Sequence, residues 1–162
     1  MKHFFIIHFF SILFFQGIAQ TVSDNDLSII IGKWTGVLTY LDYTSNIKDS
    51  VKTSLVVEKI SRDHFQFRFI YSNESSHNSK DNYTIRRNGE FVNDMKVLER
   101  TKLADGSIRI VLEDKGTDGN DNKPATFHHI LLMSDDSLSM TRMVNYSGSN
   151  EYFQRNQFVF RR

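Results

Sequence analysis

The chain has no cysteine, one proline and eight glycines among 162 residues, and each shortage removes a class of explanation. Without cysteine there is no disulfide framework, no thiolate metal site, no thiol nucleophile and no lipid-modified cysteine behind an export signal. Stability must then come from a hydrophobic core, and a chain of this length is long enough to fill one as a single domain. So little proline and glycine, beside 13% aromatic residues, fits strands rather than a flexible or disordered polymer. An excess of charge of one sign is missing as well, with 20 basic against 19 acidic side chains. That balance argues against nucleic acid as the main partner, because binding through counterion release needs a basic excess or a basic face.

What is there begins with an export signal. Lys2 supplies a positive start, Phe4 to Phe15 form an apolar run broken by His8 and Ser11, and Gly17-Ile18-Ala19 offers small residues at cleavage spacing. The run is too short for a comfortable membrane span, so cleavage after Ala19 is expected in place of a retained anchor helix. Residues 1–19 are read as signal peptide and 20–162 as one β-barrel domain. Removing 19 of the 162 residues leaves 143, with 19 basic and 19 acidic side chains. The product is expected to be secreted or periplasmic, with no stable membrane insertion.

Residues 20–26 are polar, and Ser23 or Asp24 is placed to cap one helical turn running to Ile31, ended by Gly32. From Lys33 onward the period of the apolar residues is two. Trp34, Gly36, Leu38 and Tyr40 share one face, and Thr35, Val37, Thr39 and Leu41 the other. The sharpest alternation is Phe65, Phe67, Phe69 and Tyr71 against His64, Gln66, Arg68 and Ile70. Four aromatics on one face of one strand must be buried, at about 1.5–3 kcal/mol each. Further strands are read at Val51–Ile60, Asn82–Arg86, Glu90–Leu103 (with a kink at Asn93-Asp94), Ser107–Glu113, Thr126–Met133, Leu138–Tyr146 and Tyr152–Arg162. Asn88-Gly89 is a hairpin signal, and Asp114–Pro124 reads as the longest loop. The fold class is therefore all-β, a single antiparallel up-and-down barrel of eight to ten strands, with another antiparallel barrel or a sandwich as the alternative.

The short helical turn followed by Gly32-Lys33-Trp34 at the start of the first strand resembles the opening of the lipocalin and fatty-acid-binding families, the calycins. In that family the tryptophan closes one end of the barrel and packs under an arginine from near the last strand. The resemblance hands that part to Arg161 or Arg162. A second lipocalin signature, a Thr-Asp-Tyr turn, is absent, and so is any cysteine for a lipocalin disulfide. The stretch Trp34–Tyr43 is similar also to secreted bacterial proteins of unknown role.

A barrel of this size is wide enough for one small ligand. The residues expected to line its interior are Tyr40, Phe65, Phe67, Phe69, Tyr71, Leu138, Met140, Val144 and Tyr146. Arg142 shares the face of Leu138, Met140 and Val144, and a charge among apolar groups needs a partner. By resemblance to fatty-acid-binding proteins, Arg142 with Tyr40 or Tyr146 holds an anionic head group. The alternatives are an outward-turned face at this point, or a protein carboxylate paired with Arg142. No metal site is expected. His128 and His129 are adjacent and face opposite ways in a strand. The loop from Asp118 to Asn122 departs from the EF-hand pattern, with Lys123 where the turn glycine is needed and His129 where the bidentate glutamate belongs. No nucleophile elbow, zincin motif or phosphate loop is present. The expected function is an exported, non-enzymatic barrel holding a small apolar or amphipathic ligand, anionic where the resemblance to fatty-acid-binding proteins is followed, without a cofactor. The alternative is a structural or protein-interaction barrel with a packed interior.

Overall fold

A computed structural model describes residues 20–72 and 75–162, so the expected signal peptide lies outside the described residues. Among the described residues no helix is long and apolar enough to cross a membrane.

The first element is a short helix, α1 (Asp24–Ser28). Ser23 starts it: its backbone N–H and its hydroxyl both donate to Asp26 Oδ2, at 2.8 and 2.9 Å, which supplies an acceptor where a helix start has none of its own. The helix stops at Ser28, short of the expected Ile31, because the next carbonyls are taken by side chains. Ile30 O accepts from Trp34 Nε1 at 2.8 Å, and Arg162 Nη2 donates to Ile29 O and Ile31 O at 3.0 and 2.9 Å.

Ten strands follow: β1 (Gly32–Asp42), β2 (Ile47–Ser61), β3 (His64–Tyr71), β4 (Ser79–Arg86), β5 (Phe91–Val92), β6 (Met95–Lys102), β7 (Ile108–Asp118), β8 (Lys123–Met133), β9 (Ser137–Tyr146) and β10 (Phe153–Arg161). Each pairs antiparallel with its sequence neighbours, and β1 pairs with β10, from Thr35 opposite Arg161 to Tyr40 opposite Asn156. The result is a closed ten-stranded up-and-down barrel. Closure is tight at Gly36, where an added Cβ would lie 2.1 Å from the Val159 carbonyl oxygen and 2.7 Å from the Phe160 ring, so only glycine fits there without moving backbone.

β2, β4 and β8 begin three or four residues before the expected Val51, Asn82 and Thr126, and two stretches differ in kind from the sequence reading. The kink at Asn93-Asp94 is a full reversal between β5 and β6. Asn93 adopts φ 56°, and its side chain stands in for a strand partner, with Nδ2 donating to Asn82 O at 2.6 Å and Oδ1 accepting from Thr84 N at 2.8 Å. The stretch 114–118, read as loop, is the end of β7, paired from Asp114–Phe127 to Asp118–Lys123. It projects from the end of the barrel that water reaches, so the inward side of the alternation carries polar residues and the apolar period vanishes there.

The core occupies the end of the barrel covered by α1. Trp34, Phe65, Phe67, Leu138 and Phe160 are fully buried together with Leu27 and Ile30 of the N-terminal segment. Arg162 lies over the Trp34 ring at 4.5 Å. Asp26, 3% exposed, latches α1 to the wall through Arg100 Nη2 at 2.5 Å.

Candidate functional site

The opposite half of the barrel is not filled. A half-open cavity of about 320 Å³ lies between the inward faces of β1, β3, β4, β8, β9 and β10. Its apolar part is Leu38, Phe69, Leu131, Met140 and Phe158, with Phe69 and Phe158 in ring contact at 4.9 Å. Its polar part is Asp81, His129, Arg142 and Asn156, with Tyr71, Ser79 and Tyr83 between the two. A shallower recess of about 500 Å³ adjoins it toward the mouth, sharing Leu38, Tyr71, Ser79 and Asn156 and adding Tyr40, Val51, His77 and Arg155. The main cavity is at the small end of the range in which proteins hold organic ligands.

His129 and Arg142 define the chemistry. They stand directly opposite each other across the β8–β9 ladder, so both side chains enter the cavity at one level. His129 Nε2 and Arg142 Nε are buried and have no hydrogen-bond partner. Among the described residues neither side chain forms an ion pair. The Arg142 guanidinium lies over the Phe127 ring at 4.0 Å, and burial weighs against its charge; Asp118 and Asp114 of β7 favour it from a distance. Burial, then the neighbouring Arg142, pushes the His129 imidazole down to about 4, so the ring is neutral at physiological pH. Across the cavity, burial pushes the Asp81 carboxyl up, and burial with the charge of Asp81 pushes the Tyr83 hydroxyl up.

The residues expected to line the interior fall into three groups. Phe69, Tyr71, Met140 and Arg142 meet at the cavity. Phe65, Phe67 and Leu138 fill the closed end, and Val144 packs against Ala125 and Phe127. The two tyrosines proposed as partners of Arg142 lie elsewhere. Tyr40 borders the outer recess, 3.4 Å from Asp49 Oδ2. Tyr146 donates to Asp118 at 3.3 Å, an acceptor it shares with the hydroxyl of Tyr43, itself stacked under Arg155 at 3.8 Å. At the closed end Arg162 takes the position over Trp34, and Arg161 points outward.

Sequence reasoning passed over His129 because it was weighed only as a metal ligand beside His128. The two do face opposite ways: His128 lies outside, 3.5 Å from Glu113 and 3.1 Å from the Tyr152 hydroxyl. The signal that finds His129 is its parity with Phe127 and Leu131, which puts it on the inner face.

A closed ten-stranded antiparallel barrel with a plugged end and an open, partly polar end is consistent in fold with the calycin barrels. No family model matches the sequence, and no curated protein is similar to it. Among solved structures, Rv2717c from M. tuberculosis superposes with a TM-score of 0.52 at 14% identity, over 85% of this chain and 95% of that one. A protein of unknown function from the DUF3598 family of Nostoc punctiforme PCC 73102 gives 0.46 at 13% identity, over 88% of this chain and 50% of that one. Wild-type fluorescent protein UnaG gives 0.43 at 12% identity, over 84% and 98%. At such identities the likeness to Rv2717c speaks for the fold alone.

Proposed function

We propose that this protein is an exported carrier of a small amphipathic acid, held in the open half of the barrel without chemical conversion. The observation that carries the reading is the pairing of an unfilled apolar cavity with two buried nitrogens that have no partner. An unsatisfied buried polar group costs about 1–3 kcal/mol, and a ligand oxyanion at Arg142 would remove that cost. Its tail would lie along Leu38, Phe69, Leu131, Met140 and Phe158. Export rests on Lys2, the apolar run to Phe15 and the small residues before Gln20. The carrier role rests on the same corner: His129 Nε2 holds no nucleophile that it might activate.

Native mass spectrometry of the protein purified from its own source tests this reading. A small acidic adduct is expected on the wild type and not on Arg142→Gln. A bare wild-type mass, with no uptake of added amphipathic acids, would favour the packed interaction barrel. That second reading draws on the closed half, where Phe65, Phe67 and Phe160 leave no room.

A further inference from the structure

In the cavity, two residues with unpartnered buried nitrogens line one empty space.

We propose that the acid's head group sits between Arg142 and His129, and that His129 takes up one proton from solvent as the acid binds. The inference rests on the carrier reading above and adds a second binding residue and a direction of pH dependence. Arg142 alone would hold a carboxylate at any pH. His129 faces it across the same ladder pair and lines the same cavity, with its Nε2 buried and unpartnered beside that space. In the empty protein charging the ring is disfavoured: it is buried, and the like charge of Arg142 outweighs the attraction of Asp114. A bound oxyanion reverses both conditions, since it screens Arg142 and offers an acceptor to the ring. Protonation makes both ring nitrogens donors, so Nε2–H donates to a ligand oxygen whichever tautomer the empty site holds. No group is transferred; one solvent proton joins the imidazole, and the carboxylate stays ionised.

The other charges around this corner do not supply the missing acceptor. Asp114 and Asp118 of β7 attract the pair only at a distance, Asp114 acting on both side chains and Asp118 on Arg142. Arg155 of β10 and His128 of β8 act against charge, the first on Arg142 and the second on His129. Asp81 and Tyr83 of β4 line the far wall, and burial favours the neutral form of each. Asp81 is the rival source of any pH dependence, because its ionisation would repel an anion.

Decanoate and its uncharged homologue decanol are the probes, titrated calorimetrically into the full mature chain between about pH 8 and about pH 5.5, a range above the titration of an ordinary carboxylic acid. At each pH two buffers with different heats of ionisation are used, so that proton uptake is read on the wild type without relying on any variant. Decanoate affinity is expected to rise as the pH falls, approaching tenfold for each pH unit and an uptake of one proton once the pH is below the value at which the bound ring titrates. Decanol affinity should stay flat. His129→Gln should still bind decanoate, with no proton uptake and no slope. Decanoate binding without proton uptake, or a slope that survives in His129→Gln and vanishes in Asp81→Asn, would overturn this inference and leave the carrier standing. A wild type that binds neither probe would overturn the carrier reading, and this inference with it.

Discussion

The two ends of the barrel are built from the same strands by the same alternation, yet they treat polar groups in opposite ways. At the closed end the indole and the carbonyls around it are paired, and Arg68 Nε in the wall is the one buried nitrogen without a partner there among the described residues. Trp34, 1% exposed, gives its indole N–H to Ile30 O, and Arg162 both covers the indole and ties down two carbonyls of the segment after α1. At the open end His129 and Arg142 hold buried nitrogens that bond to nothing, beside space that no side chain fills. Satisfied polar groups and filled volume are what stability selects; their absence in one coherent place marks where the fold yields to a site.

The largest effect expected from this contrast comes from truncating one apolar side chain at each end. Trp34→Ala removes a fully packed ring and should cost about 3–5 kcal/mol, seen as a lower urea midpoint at unchanged m-value. Met140→Ala, whose side chain borders the cavity, already lacks neighbours on one side and should cost less than about 2 kcal/mol. Equal losses would mean that the open half is as tightly packed as the closed one. The next effect concerns the latch. Asp26 is buried, and although burial opposes its ionisation, the hydrogen bonds from Arg100 and Ser23 outweigh it and hold the carboxyl below the ordinary range. A carboxylate whose folded pKa is depressed stabilises above its unfolded value and loses that contribution as the pH falls through the folded one. Asp26→Asn should therefore cost about 2–3 kcal/mol near neutrality. The loss should shrink in acid, where wild-type and variant melting curves draw together. A constant gap down to about pH 2, below the ordinary carboxylate range, would exclude the ion pair as its cause.

The same contrast shows what the sequence makes legible. The closed end was readable because each of its parts is a local pattern: Gly32-Lys33-Trp34 after a capped turn, Phe65, Phe67 and Phe69 at period two, an arginine at the last strand. The open end was half readable. Parity alone put Arg142 indoors, and it does line the cavity. Parity could not say which residue faces it, because that depends on the register between β8 and β9, set by the hairpin at Ser134–Ser137 and by closure of the whole barrel. The tyrosines proposed as its partners share its inward parity but stand farther along the barrel, where Asp49 and Asp118 lie within reach of their hydroxyls. The polar end of β7 was missed for a related reason. A strand that outruns the core loses its apolar period, and only its pairing with β8 reveals it.

The smallest of these effects, and the one that bears most directly on the open end, is the stability cost of His129 itself. In the unfolded chain its imidazole binds a proton with a pKa near the usual 6.5, whereas burial and Arg142 hold the folded value down to about 4. Between those two values the unfolded state carries more protons than the folded one, so stability must rise with pH across the window and level off above it. From pH 5 to pH 7 this single group should change the unfolding free energy by about 2 kcal/mol, since each pKa unit is worth about 1.36 kcal/mol. His129→Phe removes the titration and keeps a ring of similar shape among apolar neighbours, so its stability should vary less over that range and exceed the wild type's at the acid end. Thermal or urea unfolding of both proteins at the two pH values measures this directly. If the wild type and His129→Phe keep the same pH slope, His129 is not the buried neutral group described at the open end, and the two ends of the barrel differ in volume but not in unmet charge.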